Sequence, residues 1–462
     1  MSITSKIKSL LLGAAILPAI LWAKPGDPLC LVSERDGSTL ALNVHNGYGN
    51  GLGFTSLDHL EYRLGDDGAW QKFETGRTYT LNEGAKLYLR SSLDEYTSIG
   101  QGENNYSHFT IEGQMGVSGD VTTLLKKTGS NRVGVFAFYQ LFYGCPITTA
   151  PELPATELGG ACYYRMFMYC GSLTEPPELP ATTLAEDCYE GMFYCSGLTR
   201  APVLPATNLA EGCYMRMLEE CKFSEPPELP SMKLERSCYQ EMFRGCHNLT
   251  RTPVLPATNL TTSCYGSMFS DCPLLTEAPE LPATTLAIAC YEMMFWDCVG
   301  LTQAPELPAR TLAVACYDEM FRGCTSLTAA PALPCTNVEE RCYAEMFWGC
   351  TRLTQAPELP ATKLAKSCYD SMFWGCTGLV EPPELPAVEL AEGCYKWMFY
   401  GCTAIKESPV LPAPTLADKC YYEMFYDCSS LQKVSLLARE YSWGSFERWL
   451  EGVAPTGTVM RP

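Results

Sequence analysis

Histidine is scarce in this chain: four in 462 residues, His45, His59, His108 and His247, scattered and never beside a nucleophile motif. No G-x-S-x-G, no H-E-x-x-H and no phosphate-cradling glycine loop occurs, so the usual arrangements for acyl transfer, zinc proteolysis and phosphoryl transfer are missing and no enzymatic activity is expected. Cations are outnumbered, 33 Lys and Arg against 52 Asp and Glu, for a net charge of −19. With no basic cluster to offset this, nucleic acid is a poor partner. The 25 cysteines never form the short C-x-x-C knuckle of a zinc site, and neither a metal nor a cofactor is expected. Beyond residue 23, no stretch is long and apolar enough to span a membrane.

What the chain has instead is repetition. A Cys-Tyr pair recurs at Cys162, Cys188, Cys213, Cys238, Cys264, Cys290, Cys316, Cys342, Cys368, Cys394 and Cys420, in steps of 26 residues with two steps of 25. Such a period marks one supersecondary unit stacked many times, each copy touching only its neighbours. That is how a chain of this length escapes the size limit of a single globular core.

Counted from Leu286 as position 0, apolar residues fall at positions 0, 1, 4, 5, 8 and 9 (Leu286, Ala287, Cys290, Tyr291, Met294, Phe295), while positions 2, 3, 6 and 7 vary between copies. At about 100° per residue the apolar set covers half a cylinder, so the pattern predicts a short amphipathic helix. Gly-Cys pairs such as Gly323-Cys324 read as its stop. A strand is predicted to begin at Leu301. Pro305 has no N–H to give, so the parallel ladder should be only three or four residues long, with Pro-x-Leu-Pro as an extended bridge. Helices about 8–10 Å apart on one side and strands about 4.8 Å apart on the other bend the stack. The predicted fold class is an α/β solenoid, a right-handed leucine-rich-repeat superhelix of about 11–12 units with strands on its concave face.

Residues 1–23 read as an export signal, with Lys6 and Lys8 before an apolar run from Leu10 to Trp22 and cleavage after Ala23. Residues 24–129 carry no repeats. Short strand-like stretches at 39–44, 77–81, 86–90 and 108–112, and a hairpin over 60–73 turning on Gly65-Asp66-Asp67-Gly68, predict a small β-sandwich-like domain. Residues 130–437 form the solenoid, and 438–462 form a cap over its last unit. Cys30 follows Asp27-Pro28-Leu29, which lacks the small residue that lipid attachment needs. Cysteines of adjacent helices would lie about 8–10 Å apart, beyond a disulfide's usual reach of about 6.8 Å. Most are therefore read as packed free thiols, consistent with Ala137 standing in the first, incomplete unit where later units have cysteine.

Three surface columns are candidates for recognition. On the concave floor lie Glu175, Arg200, Glu225, Arg251, Glu277, Gln303, Gln355 and Glu381, with signs alternating over the first five. They form either a self-neutralising ladder or a charged floor for a partner. An acidic column runs through Glu152, Glu178, Glu228, Glu280, Glu306, Glu358 and Glu384, interrupted by Val203, Val254, Ala332 and Val410. Outward at position 10 stand Trp296, Trp348, Trp374, Tyr400 and Tyr426, with Arg322 among them. Tryptophans in a row can mark a binding patch, unless each ring lies over the neighbouring unit.

The unit C-Y-x-x-M-F-x-G-C-x-x-L-T-x-A-P-x-L-P-A-T-x-L-A resembles the BspA-like bacterial surface leucine-rich repeats, whose shorter A-F-x-G-C-x-x-L core is matched by residues 320–327. The closing W-L-x-G-V-A-x-T-G-T, residues 449–458, is similar to the end of such proteins. The resemblance implies export to the cell surface or medium and binding of a protein ligand, such as a host matrix protein or another cell's surface. The proline-interrupted strand departs from that family, and no family binding residue maps onto a position here. A glycan-binding module using the tryptophan column and the β-rich domain, or a spacer presenting residues 24–129, are the alternatives. A monomer is expected.

Overall fold

The computed structural model describes residue 24 and residues 26–47, 56–439, 443–455 and 457–460; the export signal read at 1–23 lies outside them. Alternating apolar and polar residues build nine strands: Leu29–Ser33 (β1), Ser38–Asn46 (β2), Leu60–Leu64 (β3), Gln71–Lys72 (β4), Tyr79–Leu81 (β5), Lys86–Ser91 (β6), Gly100–Gly102 (β7), Asn105–Glu112 (β8) and Met115–Ser118 (β9). They form two antiparallel sheets, in the orders β4-β3-β6-β1-β9 and β5-β2-β8-β7. The hairpin turning at Gly65–Gly68 is present as β3–β4, and Asp66 in its turn is held by Lys86 and Tyr88. Sequence reading missed β1, β7 and β9. Cys30 sits in β1, buried between β6 and β9.

These sheets share one apolar core with the repeats. Phe109 of β8 stacks on Phe142 at 4.8 Å, its N–H donates to the Leu141 carbonyl at 2.8 Å, and its carbonyl accepts from the Cys145 thiol at 3.3 Å. One hundred and sixty residues further on, Phe269 makes the same three contacts with Phe295, Met294 and Cys298. The β-domain thus supplies the first level of the stack rather than a separate body. A short parallel pair, Arg132–Val133 (β10) with Glu157–Leu158 (β11), continues the junction.

The predicted helix is not there. Among the described residues no α-helix occurs, only two 3-10 turns at Val121–Leu124 and Trp443–Ser445. The α part of the predicted α/β solenoid is therefore corrected: each unit is a ribbon of overlapping turns. In the coil containing Cys290, one set of N–H groups closes turns within the coil, Glu292 to Ala289, Met294 to Tyr291, Trp296 to Met293 and Cys298 to Phe295, at 3.1–3.3 Å. The alternate set leaves for the next coil: Ala289 to Val314, Tyr291 to Cys316, Met293 to Asp318, Phe295 to Met320 and Asp297 to Arg322, at 2.7–3.1 Å. Every fourth residue, here Ala289, Met293 and Asp297, has φ between 51° and 54°. The left-handed region costs a non-glycine residue about 1–2 kcal/mol, and it recurs at the same positions in every coil. Glycine fills the third of these positions at Gly323, Gly349, Gly375 and Gly401, which is why a helix stop was read there.

A period of four explains the misreading. Apolar positions 0, 1, 4, 5, 8 and 9 lie on one side of a helix, but they repeat at 4.0 rather than 3.6. A helix would consume its own N–H groups and hold neighbours about 8–10 Å apart; the ribbon sends half of them along the stack and draws the coils together. The tyrosine column from Tyr163 to Tyr421 stacks ring on ring, as at Tyr291–Tyr317, 5.8 Å apart and tilted by 9°. The phenylalanine column does likewise, as at Phe295–Phe321, 5.7 Å and 3°. Offset stacks of this kind contribute about 0.5–1.5 kcal/mol per pair beyond burial. Helix spacing therefore does not keep the cysteines of adjacent units apart, yet all 25 are free and 24 are buried.

Beyond the ribbon, single parallel bridges replace the expected three- to four-residue ladder, as at Glu277–Gln303 and Thr285–Thr311. Between them the proline stretch runs extended, with burial alternating through Pro227, Glu228, Leu229 and Pro230. Later strands are Glu407–Leu411 (β12), Lys433–Leu436 (β13) and Thr458–Met460 (β14), paired in parallel in that order. The cap adds one more level: the carbonyls of Ser445, Glu447, Trp449 and Glu451 accept from Tyr421, Glu423, Phe425 and Asp427. The result is a stack of 26-residue coils, compatible with a repeat solenoid.

Candidate binding surfaces

The interior holds many nucleophilic atoms in an environment that silences them. Cys324 donates its thiol to the Phe295 carbonyl at 3.1 Å, the pattern of its column, and burial raises its pKa well above the ordinary range. Thiolates are the reactive form, and this burial suppresses them. Cys195 differs because it stands one residue before the buried place of its column: Ser196 takes that place and Cys195 is half-exposed, its thiol 3.2 Å from Glu220 Oε2, with burial and that carboxylate raising it to about 11. Among the described residues no group of three or more His, Cys, Asp or Glu side chains is placed to hold a metal ion, and no helix is long and apolar enough to cross a membrane.

From Trp348 onward the outward column is internally paired. Trp348 stacks on Trp374 at 4.4 Å, Trp374 on Tyr400 at 4.1 Å and Tyr400 on Tyr426 at 4.7 Å, all within 16° of parallel. Arg322 lies 4.1 Å over the far face of Trp348, and Arg448 lies 4.8 Å over Tyr426. Four rings are thus closed at both ends by guanidinium groups, and all four are half-buried. Trp296 is two coils from Trp348, with Arg322 at the level between. A sugar stacks on a free ring face, and these faces are occupied. The same side carries ion pairs between coils, Arg341 to Asp318 at 2.8 Å, Arg322 to Glu345 at 2.7 Å and Arg216 to Glu241 at 2.9 Å, and Arg244 joins Glu241 from within its own coil at 2.9 Å. Glu219, beside this last group, is left 3.8 Å from both arginines, and burial together with Glu241 pushes its carboxyl up to about 7.

The floor column also pairs with itself. Glu175 meets Arg200 at 3.1 Å, Glu225 meets Arg251, and Gln355 donates to Glu381 at 3.2 Å. Glu277 and Gln303 are joined by a backbone bridge. All eight residues are exposed, but the charges of the first four are spent on each other.

The proline side is different. Its acidic column places Glu178, Glu228, Glu280, Glu306, Glu358 and Glu384 in solvent, and among the described residues none of the six enters a hydrogen bond or ion pair. Where the column is interrupted, Val203 and Val254 are 81% and 79% exposed, more than any other large apolar side chain described. Shallow grooves run between successive proline stretches there. One of about 780 Å³ is bordered by Pro202, Val203, Pro227 and Glu228, and a second of about 450 Å³ by Pro227, Glu228, Pro253 and Val254. The sequence showed the valines as substitutions in an acidic column. It did not show that the valines at this position stand in solvent beside a groove, because a helix-and-strand reading makes the proline stretch a mere connection.

No family model matches this chain, and no curated protein is similar to it.

Proposed function

We propose that this chain is an exported, non-catalytic binding scaffold of the BspA-like leucine-rich-repeat kind, which engages a protein partner through its proline-lined side. The observation that carries the reading is the contrast between sides. The outward rings from Trp348 to Tyr426 and the first four floor charges are satisfied by one another, whereas the proline side leaves six carboxylates and two valines uncommitted. Surfaces that neighbouring coils have already paired have little left to offer a ligand; an uncommitted apolar and charged strip has both contact area and specificity. Export rests on residues 1–23, and the family on the repeat itself.

The test is binding of the full chain to immobilised matrix and bacterial surface proteins, run in parallel with a glycan array. The expected result is protein binding that falls at least tenfold on Glu280→Lys with Glu306→Lys and is unchanged by Trp374→Phe. Glycan binding that is lost on Trp374→Phe, with no protein bound, would overturn the reading in favour of a glycan module.

A further inference from the structure

We infer that coils starting at Cys188, Cys213 and Cys238 form a docking site for an extended polypeptide segment carrying one basic side chain between two apolar ones. This rests on the scaffold reading and names the partner of one stretch of that surface. Three departures from the repeat converge here. The first two of these coils are the ones shortened to 25 residues. In the middle coil, Leu218 takes the phenylalanine place and Phe223 takes the leucine place, so that Phe223 packs edge-on to Phe243 at 6.2 Å beneath the groove that it lines. The acidic column reads Val203, Glu228, Val254 across the three coils.

The chemistry selects the occupant. Arg200 and Arg251 are neutralised by Glu175 and Glu225, so neither attracts an acidic ligand. Glu228 is exposed and unpaired, with an exposed valine on the coil before and on the coil after. Its neighbours beyond the valines, Glu178 and Glu280, are unpaired too, so the potential along the strip is negative. A lysine or arginine finds its counter-charge at Glu228, and apolar side chains on either side cover Val203 and Val254. In an extended segment, side chains two residues apart share a face and lie about 7 Å apart, which gives the alternation apolar-x-basic-x-apolar. A second copy of this chain is a poorer occupant, because a strip this acidic repels its own kind.

The test uses the full chain and a fluorescein-labelled peptide, Gly-Leu-Thr-Arg-Thr-Leu-Gly, followed by anisotropy. Binding is expected, weakened at least tenfold when glutamate replaces the arginine or serine replaces both leucines. It should fall at least tenfold with Glu228→Lys and with Val203→Glu plus Val254→Glu, and less than twofold with Glu358→Lys. These side chains are exposed, so unchanged melting curves will show that the fold is intact. Absence of saturable binding up to about 1 mM, an affinity of only about 4 kcal/mol, overturns the inference. So does equal loss with Glu228→Lys and Glu358→Lys, which would show diffuse attraction alone. If the valine variant leaves protein capture in the scaffold assay untouched, this site falls while the scaffold reading stands; if no protein is captured by the unaltered chain, the scaffold reading falls as well.

Discussion

Each coil has two halves built on opposite principles. In the turn ribbon, alternate N–H groups close turns and bond the next coil, and the side chains between them form tyrosine, methionine, phenylalanine and cysteine columns buried to within a few per cent. In most proline stretches the backbone makes only isolated bridges, and the outward side chains vary from coil to coil. A residue in the ribbon answers to the coil above and the coil below, so its identity is repeated. A residue at position 20 answers only to solvent or a partner. Repetition therefore marks what holds the stack together, and departure from repetition marks where a ligand can be told from another.

That contrast can be broken chemically first. With a thiol-specific maleimide, the folded chain is expected to expose only Cys195 to slow modification, and the 24 buried cysteines should react only on unfolding. Rapid labelling of several thiols, or protection that persists after denaturation without reductant, would contradict the free buried columns. Stability gives the next largest effect. Phe321→Ala removes one ring from a continuous stack and is expected to cost about 3–5 kcal/mol, whereas Glu306→Ala on the proline side should stay within about 0.5 kcal/mol. Equal shifts in urea midpoint would erase the distinction between the halves.

A smaller effect comes from Glu219. Folded, it keeps its proton until about pH 7, against an ordinary value of 4.5. The folded chain thus binds more protons than the unfolded chain between those values, and stability falls as pH rises through them. Glu219→Gln should flatten that part of the stability–pH curve; a curve parallel to that of the unaltered chain would show that the carboxyl is already ionised.

Much of this was legible in the sequence. The period, the buried columns, the β-rich start and the hairpin at Gly65–Gly68 all follow from spacing and turn chemistry. The ribbon was not, because Leu286, Ala287, Cys290, Tyr291, Met294 and Phe295 fit one side of a helix as well as a four-residue turn repeat. What separates the two is where the N–H groups of Ala289, Met293 and Asp297 point, and side-chain periodicity over three turns does not reveal that. The outward tryptophans were similarly ambiguous: a row at one residue per coil reads as a patch until the coil spacing is known, and at this spacing the rings cover each other.

Every fourth ribbon residue is left-handed, and a single substitution tests this through its sign. Ala315 has φ 54° and is half-buried. Glycine there relieves the left-handed penalty of about 1–2 kcal/mol against a loss of about 0.4–1 kcal/mol through the unfolded chain. Ala315→Gly is therefore expected to raise the urea midpoint, by roughly 0.5 kcal/mol of stability. In a helix the same change would lower stability by about 1 kcal/mol, and that result would contradict the turn ribbon.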